Sequence, residues 1–166
     1  NVIFDSKYLY FIFMKVAIIS YGTGNIASLN SALKSLGTDS YLAQSISDLK
    51  KADSIIFPGI GHFDNASINL EKSGLKYYLK NMISDGIPTL GICLGFQLLT
   101  QSSEEASNAK GLGFLPFSTI RIKVNNTILN KVPHLGWNYI YKSHLESKLL
   151  NGIELDQQLF YYSNAY

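Results

Sequence analysis

The chain has 166 residues, of which 46% are hydrophobic and 16% charged, with a net charge of +2. That length suits one well-packed domain burying roughly 70% of its unfolded surface, and the composition excludes a disordered chain. Acidic and basic residues are mixed, without the basic block or aromatic-interleaved patch of a nucleic-acid binder. The single cysteine, Cys93, excludes an internal disulfide framework and a cysteine-based zinc cluster, so no metal or cofactor is called for. A lone cysteine also fits a reducing cytoplasm.

Residues 1–13, NVIFDSKYLYFIF, contain an apolar run, Tyr8–Phe13, far too short to span a bilayer. They have neither a basic start nor a small-residue cleavage site, which argues against a signal peptide and a membrane role. The domain is expected to begin at Met14 and run over 14–166. Residues 1–13 then read as upstream or foreign sequence, with an extra edge strand or partner-binding arm as the alternative.

Lys15–Tyr21 (KVAIISY) is a buried-strand run closed by Gly22-Thr23-Gly24. Ile26, Leu29, Leu33 and Leu36 follow at helical spacing, with Gly37 as a natural C-cap. Strand, glycine turn and helix are the opening of an α/β fold. The turn lacks both the G-x-G-x-x-G and the Gly-Lys-Ser/Thr patterns, so phosphate binding carries little weight. Asp39–Ala43 reads as a second strand, and Ser47-Asp48 as the cap of a short helix through Ala52.

Asp53–Phe57 is the third strand, ending in Pro58-Gly59-Ile60-Gly61-His62-Phe63. Proline ends the ladder, and the two glycines allow backbone N–H groups to approach a ligand closely. Ligands of open parallel sheets bind outside the carboxyl ends of the strands, where this loop belongs. Taken alone, Pro58–Gly61 reads as a plain structural loop. Leu75, Tyr78, Leu79, Met82 and Ile83 form an apolar helical stripe stopped by Gly86, a core face rather than a cofactor box.

The chain is organised around Pro88–Thr100, PTLGICLGFQLLT. A short apolar run leads into Cys93, which stands between Gly91 and Gly95, and Phe96, Leu98 and Leu99 begin a helix. A nucleophile at a sharp strand-to-helix turn is the nucleophile elbow, and small flanking residues let the backbone turn. Its thiol lies near a helix N-terminus, where unpaired N–H groups favour thiolate and hold an oxyanion. A buried core cysteine is the competing reading of the residue by itself; the G-x-C-x-G setting favours the nucleophile.

Ser102–Ala109 reads as a polar loop in which Glu104 and Glu105 are solvated, since adjacent acids rarely converge on one substrate. Gly111–Pro116 is a turn cluster, and Ser118–Val124 alternates as a strand. Lys131–Tyr139 (KVPHLGWNY) fits no period and reads either as a contact surface or as a core tryptophan with a structured loop. Leu145–Leu150 is a candidate short helix and Leu159–Tyr166 a strand.

Laid out in this order, the stretches YGTGNIASLNSAL, FPGIGHF, GICLGFQLL, GLGFLP and VPHLGWN resemble the class I (triad) glutamine amidotransferases. Within that class they are similar to the glutaminase subunits of imidazole glycerol phosphate synthase, over nearly all of 14–166. The resemblance implies a flavodoxin-like α/β sandwich and a cytoplasmic enzyme of histidine biosynthesis. By it, Cys93 attacks the glutamine side-chain amide, forming a thioester and releasing ammonia. Gly59, Ile60 and Leu94 supply the oxyanion hole, and Gly61 and Gln97 bind glutamine. His134, Gly136, Trp137 and Asn138 face a (β/α)8-barrel cyclase. That partner uses the ammonia to make imidazole glycerol phosphate and an aminoimidazole carboxamide ribotide.

Two departures accompany the resemblance. The family completes its triad with a His and a Glu in an H-P-E motif; none of His62, His134 and His144 has that context, and the motif is expected beyond Tyr166, in a missing C-terminal part. By itself the 166-residue chain is then expected to turn over little. Tyr161–Tyr166, YYSNAY, replaces the usual His-Ser-Tyr step with Ser163 and Asn164 in the first two places. It raises, as an alternative, a paralogous glutaminase feeding amino-sugar synthesis for surface polysaccharide, and the absent H-P-E motif raises a non-catalytic partner-binding domain.

Overall fold

The computed structural model describes residues 14–124, 131–141, 148–155 and 157–166. The 1–13 extension therefore lies outside the described residues. The described residues form two compact units, one ending at Ile120 and the other beginning at Arg121.

The first unit is built on four parallel strands: β1 (Lys15–Ile19), β2 (Asp39–Ala43), β3 (Ser54–Phe57) and β4 (Thr89–Gly91). Their order is β2-β1-β3-β4, so the most apolar strand occupies the interior. Val16, Ala17, Ile18 and Ile19 are all buried, the pattern of a parallel strand covered on both faces. On one face Ala17, Ile19, Ile55 and Phe57 join the helical residues Phe63, Leu70, Leu75, Leu79 and Leu98 in a single core.

The helices are α1 (Ile26–Ser35), α2 (Ile46–Leu49), α3 (Phe63–Lys72), α4 (Leu75–Ser84) and α5 (Leu94–Leu99). The expected apolar row of α1 is present, but no residue of that helix is buried, and Leu36 at its end is 79% exposed. The cap of α2 is Ser45 rather than the expected Ser47. Ser45 Oγ accepts from the Asp48 amide at 3.2 Å while the Asp48 carboxylate accepts from the Ser45 amide at 3.0 Å, a reciprocal capping box. These bonds, led by the Ser45 hydroxyl, hold the Asp48 carboxyl below its ordinary pKa.

Three stretches differ from the sequence reading. Helix α3 was not anticipated, although Phe63, Ala66, Ser67 and Leu70 bury one face at helical spacing. Residues 102–110 are an antiparallel ribbon of β5 (Ser102–Ser103) and β6 (Ala106–Lys110), not a polar loop. Buried Ser67 ties α3 to the ribbon, donating to the Lys110 carbonyl at 2.8 Å. The expected strand over Ser118–Val124 is reduced to a single bridge between Thr119 and Ser103.

In the second unit β7 (His134–Tyr139) pairs antiparallel with β8 (Leu159–Asn164). The segment read as irregular is thus a strand. Its period was obscured because both faces carry aromatic or polar groups: Trp137 meets Tyr161 edge-on at 5.5 Å, and His134 stacks on Tyr162 at 5.4 Å. Leu135, Trp137 and Tyr139 lie opposite Ser163, Tyr161 and Leu159 on an exposed face. Of the expected helix at 145–150, residues 145–147 lie outside the described residues, and Lys148–Leu150 form a 3-10 turn. Among the described residues no helix is long and apolar enough to cross a membrane.

Candidate active site

The site is set by the register of two neighbouring strands. Phe57, the last residue of β3, pairs with Gly91, the last residue of β4, so both chains leave the sheet at the same level. One more ladder bond follows, from the Ile92 amide to the Phe57 carbonyl at 3.0 Å. Beyond it β3 continues as Pro58–Gly61 and β4 turns at Cys93.

Cys93 has φ 53° and ψ −118°, making it the one non-glycine residue with positive φ among those described. Such a conformation costs an L-residue of order 1–3 kcal/mol and persists only where the surroundings impose it. Here they do. The Gly95 amide closes back to the Ile92 carbonyl at 3.0 Å and the Gln97 amide to the Cys93 carbonyl at 3.1 Å, starting α5 at once. Leu94 is buried beneath the turn, whereas Cys93 is exposed.

Glycines on both sides allow this packing. A methyl on Gly91 would lie 2.6 Å from the Phe96 Cα, and one on Gly95 1.7 Å from the Phe57 oxygen. On the other chain, a methyl on Gly59 would lie 3.0 Å from both the Gly95 nitrogen and the Leu94 Cβ. The elbow and the glycine loop are therefore in backbone contact. Of the anticipated site residues, Cys93, Leu94 and Gly59 are brought together, and Gln97 stands one turn along α5. Ile60 is 59% exposed, and Gly61, with φ 102°, is also open to solvent. His134, Gly136, Trp137 and Asn138 belong to the second unit, within β7.

Several contributors were missed in the sequence. Gly24 lies against the loop, with space for a methyl only 3.7 Å from Gly59 and Pro58 atoms, so the first glycine turn belongs to the same edge. Tyr21, just past β1, is 4% exposed and donates to the Pro58 carbonyl at 2.7 Å. Burial pushes its pKa up to about 12; Thr23 pulls the other way and Cys93 adds to the rise. Glu105 is not solvated. One carboxylate oxygen accepts from the Phe63 amide at 2.8 Å and the other lies 3.0 Å from His62 Nδ1, which anchors the far end of the loop where α3 begins. Position at the carboxyl end of β1 was the available signal for Tyr21; Glu105 had none, because the ribbon that presents it was read as loop.

An open groove of about 610 Å³ runs between α3 and the ribbon, lined by Asp64, Ser67, Glu71, Lys76, Glu105 and Lys110 among others. Cys93 is not among its walls. Among the described residues no cluster of three or more His, Cys, Asp or Glu could hold a metal ion.

An exposed thiol on a strained elbow, touching a glycine loop at the edge of a parallel sheet, is an arrangement for nucleophilic attack on a carbonyl. The family model of the CobB/CobQ-like glutamine amidotransferase domain matches residues 12–152. The chain belongs to the glutamine amidotransferases. Among relatives in this family, the imidazole glycerol phosphate synthase subunit HisH 2 of Methanococcus maripaludis is 39% identical over 152 residues, covering 91% of this chain and 73% of that protein. The HisH subunit of Bacillus mycoides is 42% identical over 151 residues, covering 91% and 69%. That of Bacillus subtilis is 40% identical over 150 residues, covering 89% and 70%. A crystal structure of a glutamine amidotransferase superposes with a TM-score of 0.61 at 18% identity, covering 75% of this chain and 62% of that one. It shares the α/β fold with a parallel sheet; this chain spans under two thirds of its length.

Proposed function

We propose that the chain is the glutaminase part of an ammonia-supplying enzyme and that Cys93 is its nucleophile. Cys93 Sγ adds to the side-chain carbonyl of glutamine, and the carbonyl electron pair moves onto oxygen. Collapse of that intermediate, with the proton lost from the thiol passed to the amide nitrogen, expels ammonia and leaves a glutamyl thioester, which water hydrolyses to glutamate. N–H groups of Leu94 and of the Gly59–Ile60 segment stabilise the oxyanion, and Gly61 and Gln97 hold the substrate. The observation that carries this reading is the positive φ of Cys93 on an elbow whose next residues, Leu94 and Gly95, pack against Gly59 of the glycine loop.

The ammonia goes to a barrel-shaped cyclase subunit for imidazole glycerol phosphate formation in the cytoplasm, by the likeness to HisH subunits at 39–42% identity. The exposed apolar face of β7 and β8, with Trp137 at its centre, is the surface offered to that partner. Ammonia release from glutamine, measured with and without the cyclase, tests the pathway. Formation of a complex with faster release supports it. Cys93-dependent release that ignores the cyclase points to another synthase, such as one making amino sugars.

A further inference from the structure

We infer that Tyr21 is a positioning residue for the reaction at Cys93: its hydroxyl, bound to the Pro58 carbonyl, sets the direction of the Pro58–Gly59 peptide and so of the Gly59 N–H. This rests on the proposed glutaminase reading and adds to it a residue that follows β1.

The Pro58–Gly59 bond is trans, so its carbonyl and its N–H point in opposite directions and fixing one fixes the other. The Phe57 carbonyl, one residue earlier, is taken by the Ile92 amide of the neighbouring strand. Past that point the chain has left the ladder, and the Pro58 carbonyl is met by a side chain instead, Tyr21 Oη at 2.7 Å across 37 residues of sequence.

The hydroxyl also lies directly under the next residue. A methyl on Gly59 would sit 2.5 Å from Tyr21 Oη and 3.0 Å from the Gly95 nitrogen and the Leu94 Cβ, and Gly24 also lies against Gly59. Pro58 and Gly59 are buried, whereas Ile60 and Gly61 are exposed, so the enforced order ends at the residue whose peptide Tyr21 holds. The Tyr21 ring is itself fixed, packed on Phe57 with centroids 5.2 Å apart. Because burial keeps the phenol protonated to about pH 12, the hydroxyl remains a donor throughout the working range.

Inactivation by a diazo-ketone analogue of glutamine separates binding (KI) from reaction at the polarised ketone (kinact), and iodoacetamide reports thiol reactivity without that polarisation. Tyr21→Phe is expected to lower kinact about tenfold, with KI and the iodoacetamide rate within about twofold of the parent. A wild-type kinact overturns the proposal, and so does an equal fall in both alkylation rates, which would make Tyr21 a packing residue. Should Tyr21→Phe not fold, Gly59→Ala carries the test, since its methyl displaces the hydroxyl; a wild-type kinact there overturns the proposal too. Failure of the parent chain to react at Cys93 would instead sink the glutaminase reading beneath it.

Discussion

Gly95 lies so close to the Phe57 carbonyl that a side-chain methyl would stand 1.7 Å from the oxygen and 2.5 Å from its carbon. Both obstacles are backbone of the central sheet and cannot swing aside. Gly95→Ala is therefore expected to destabilise the fold by at least about 3 kcal/mol. Gly113→Ala, where nothing lies within 4 Å but φ is 71°, should cost only about 1 kcal/mol. Urea unfolding of the two variants checks the contrast.

The elbow strain is carried by one residue. Cys93→Gly should raise stability by about 1 kcal/mol, because glycine adopts φ 53° without a Cβ penalty. Cys93→Ser keeps the Cβ and should leave stability within about 0.5 kcal/mol. Thermal unfolding of both, each lacking the thiol, separates strain from chemistry.

Glu105 offers a third test. Its carboxylate accepts the Phe63 amide at the start of α3, so Glu105→Ala should cost about 1–2 kcal/mol. Its other partner, His62, has a side chain 71% exposed, and His62→Ala should change stability by less than about 0.5 kcal/mol. Equal losses in denaturant titrations would show that the His62 contact, not the amide bond, anchors the loop.

Tyr21 predicts a pH dependence. Its pKa is about 12 in the folded chain against 10.0 for the free side chain, so the folded state holds the proton after the unfolded one has released it. The contribution is full below pH 10 and is lost as pH rises toward 12, amounting to at most about 3 kcal/mol. Urea midpoints of the parent should fall more steeply over that window than those of Tyr21→Phe.

The sequence shows the fold where the strand runs and the turn chemistry are local. Lys15–Ile19 and Asp39–Ala43 read directly as strands, and Gly91, Cys93 and Gly95 declare a turn that only small neighbours permit. The reading failed where stabilisation is supplied by distant partners. Phe63–Lys72 hides its buried face among Asn65, Ser67 and Asn69, and Ser67 is buried only because the Lys110 carbonyl accepts its hydroxyl. Residues 102–110 form strands without apolar alternation, held by pairing with each other. Tyr21 and Glu105 reach the glycine loop across 37 and 42 residues of sequence, a separation no local pattern encodes.

In the proposed reaction Cys93 attacks the side-chain carbonyl of glutamine. It is tested most directly by mass spectrometry of the chain after incubation with the diazo-ketone analogue, beside Cys93→Ser and with glutamine as competitor. One adduct is expected, located at Cys93, absent from the serine variant and suppressed by glutamine. A folded chain that stays unlabelled, or that is labelled elsewhere regardless of glutamine, would contradict it.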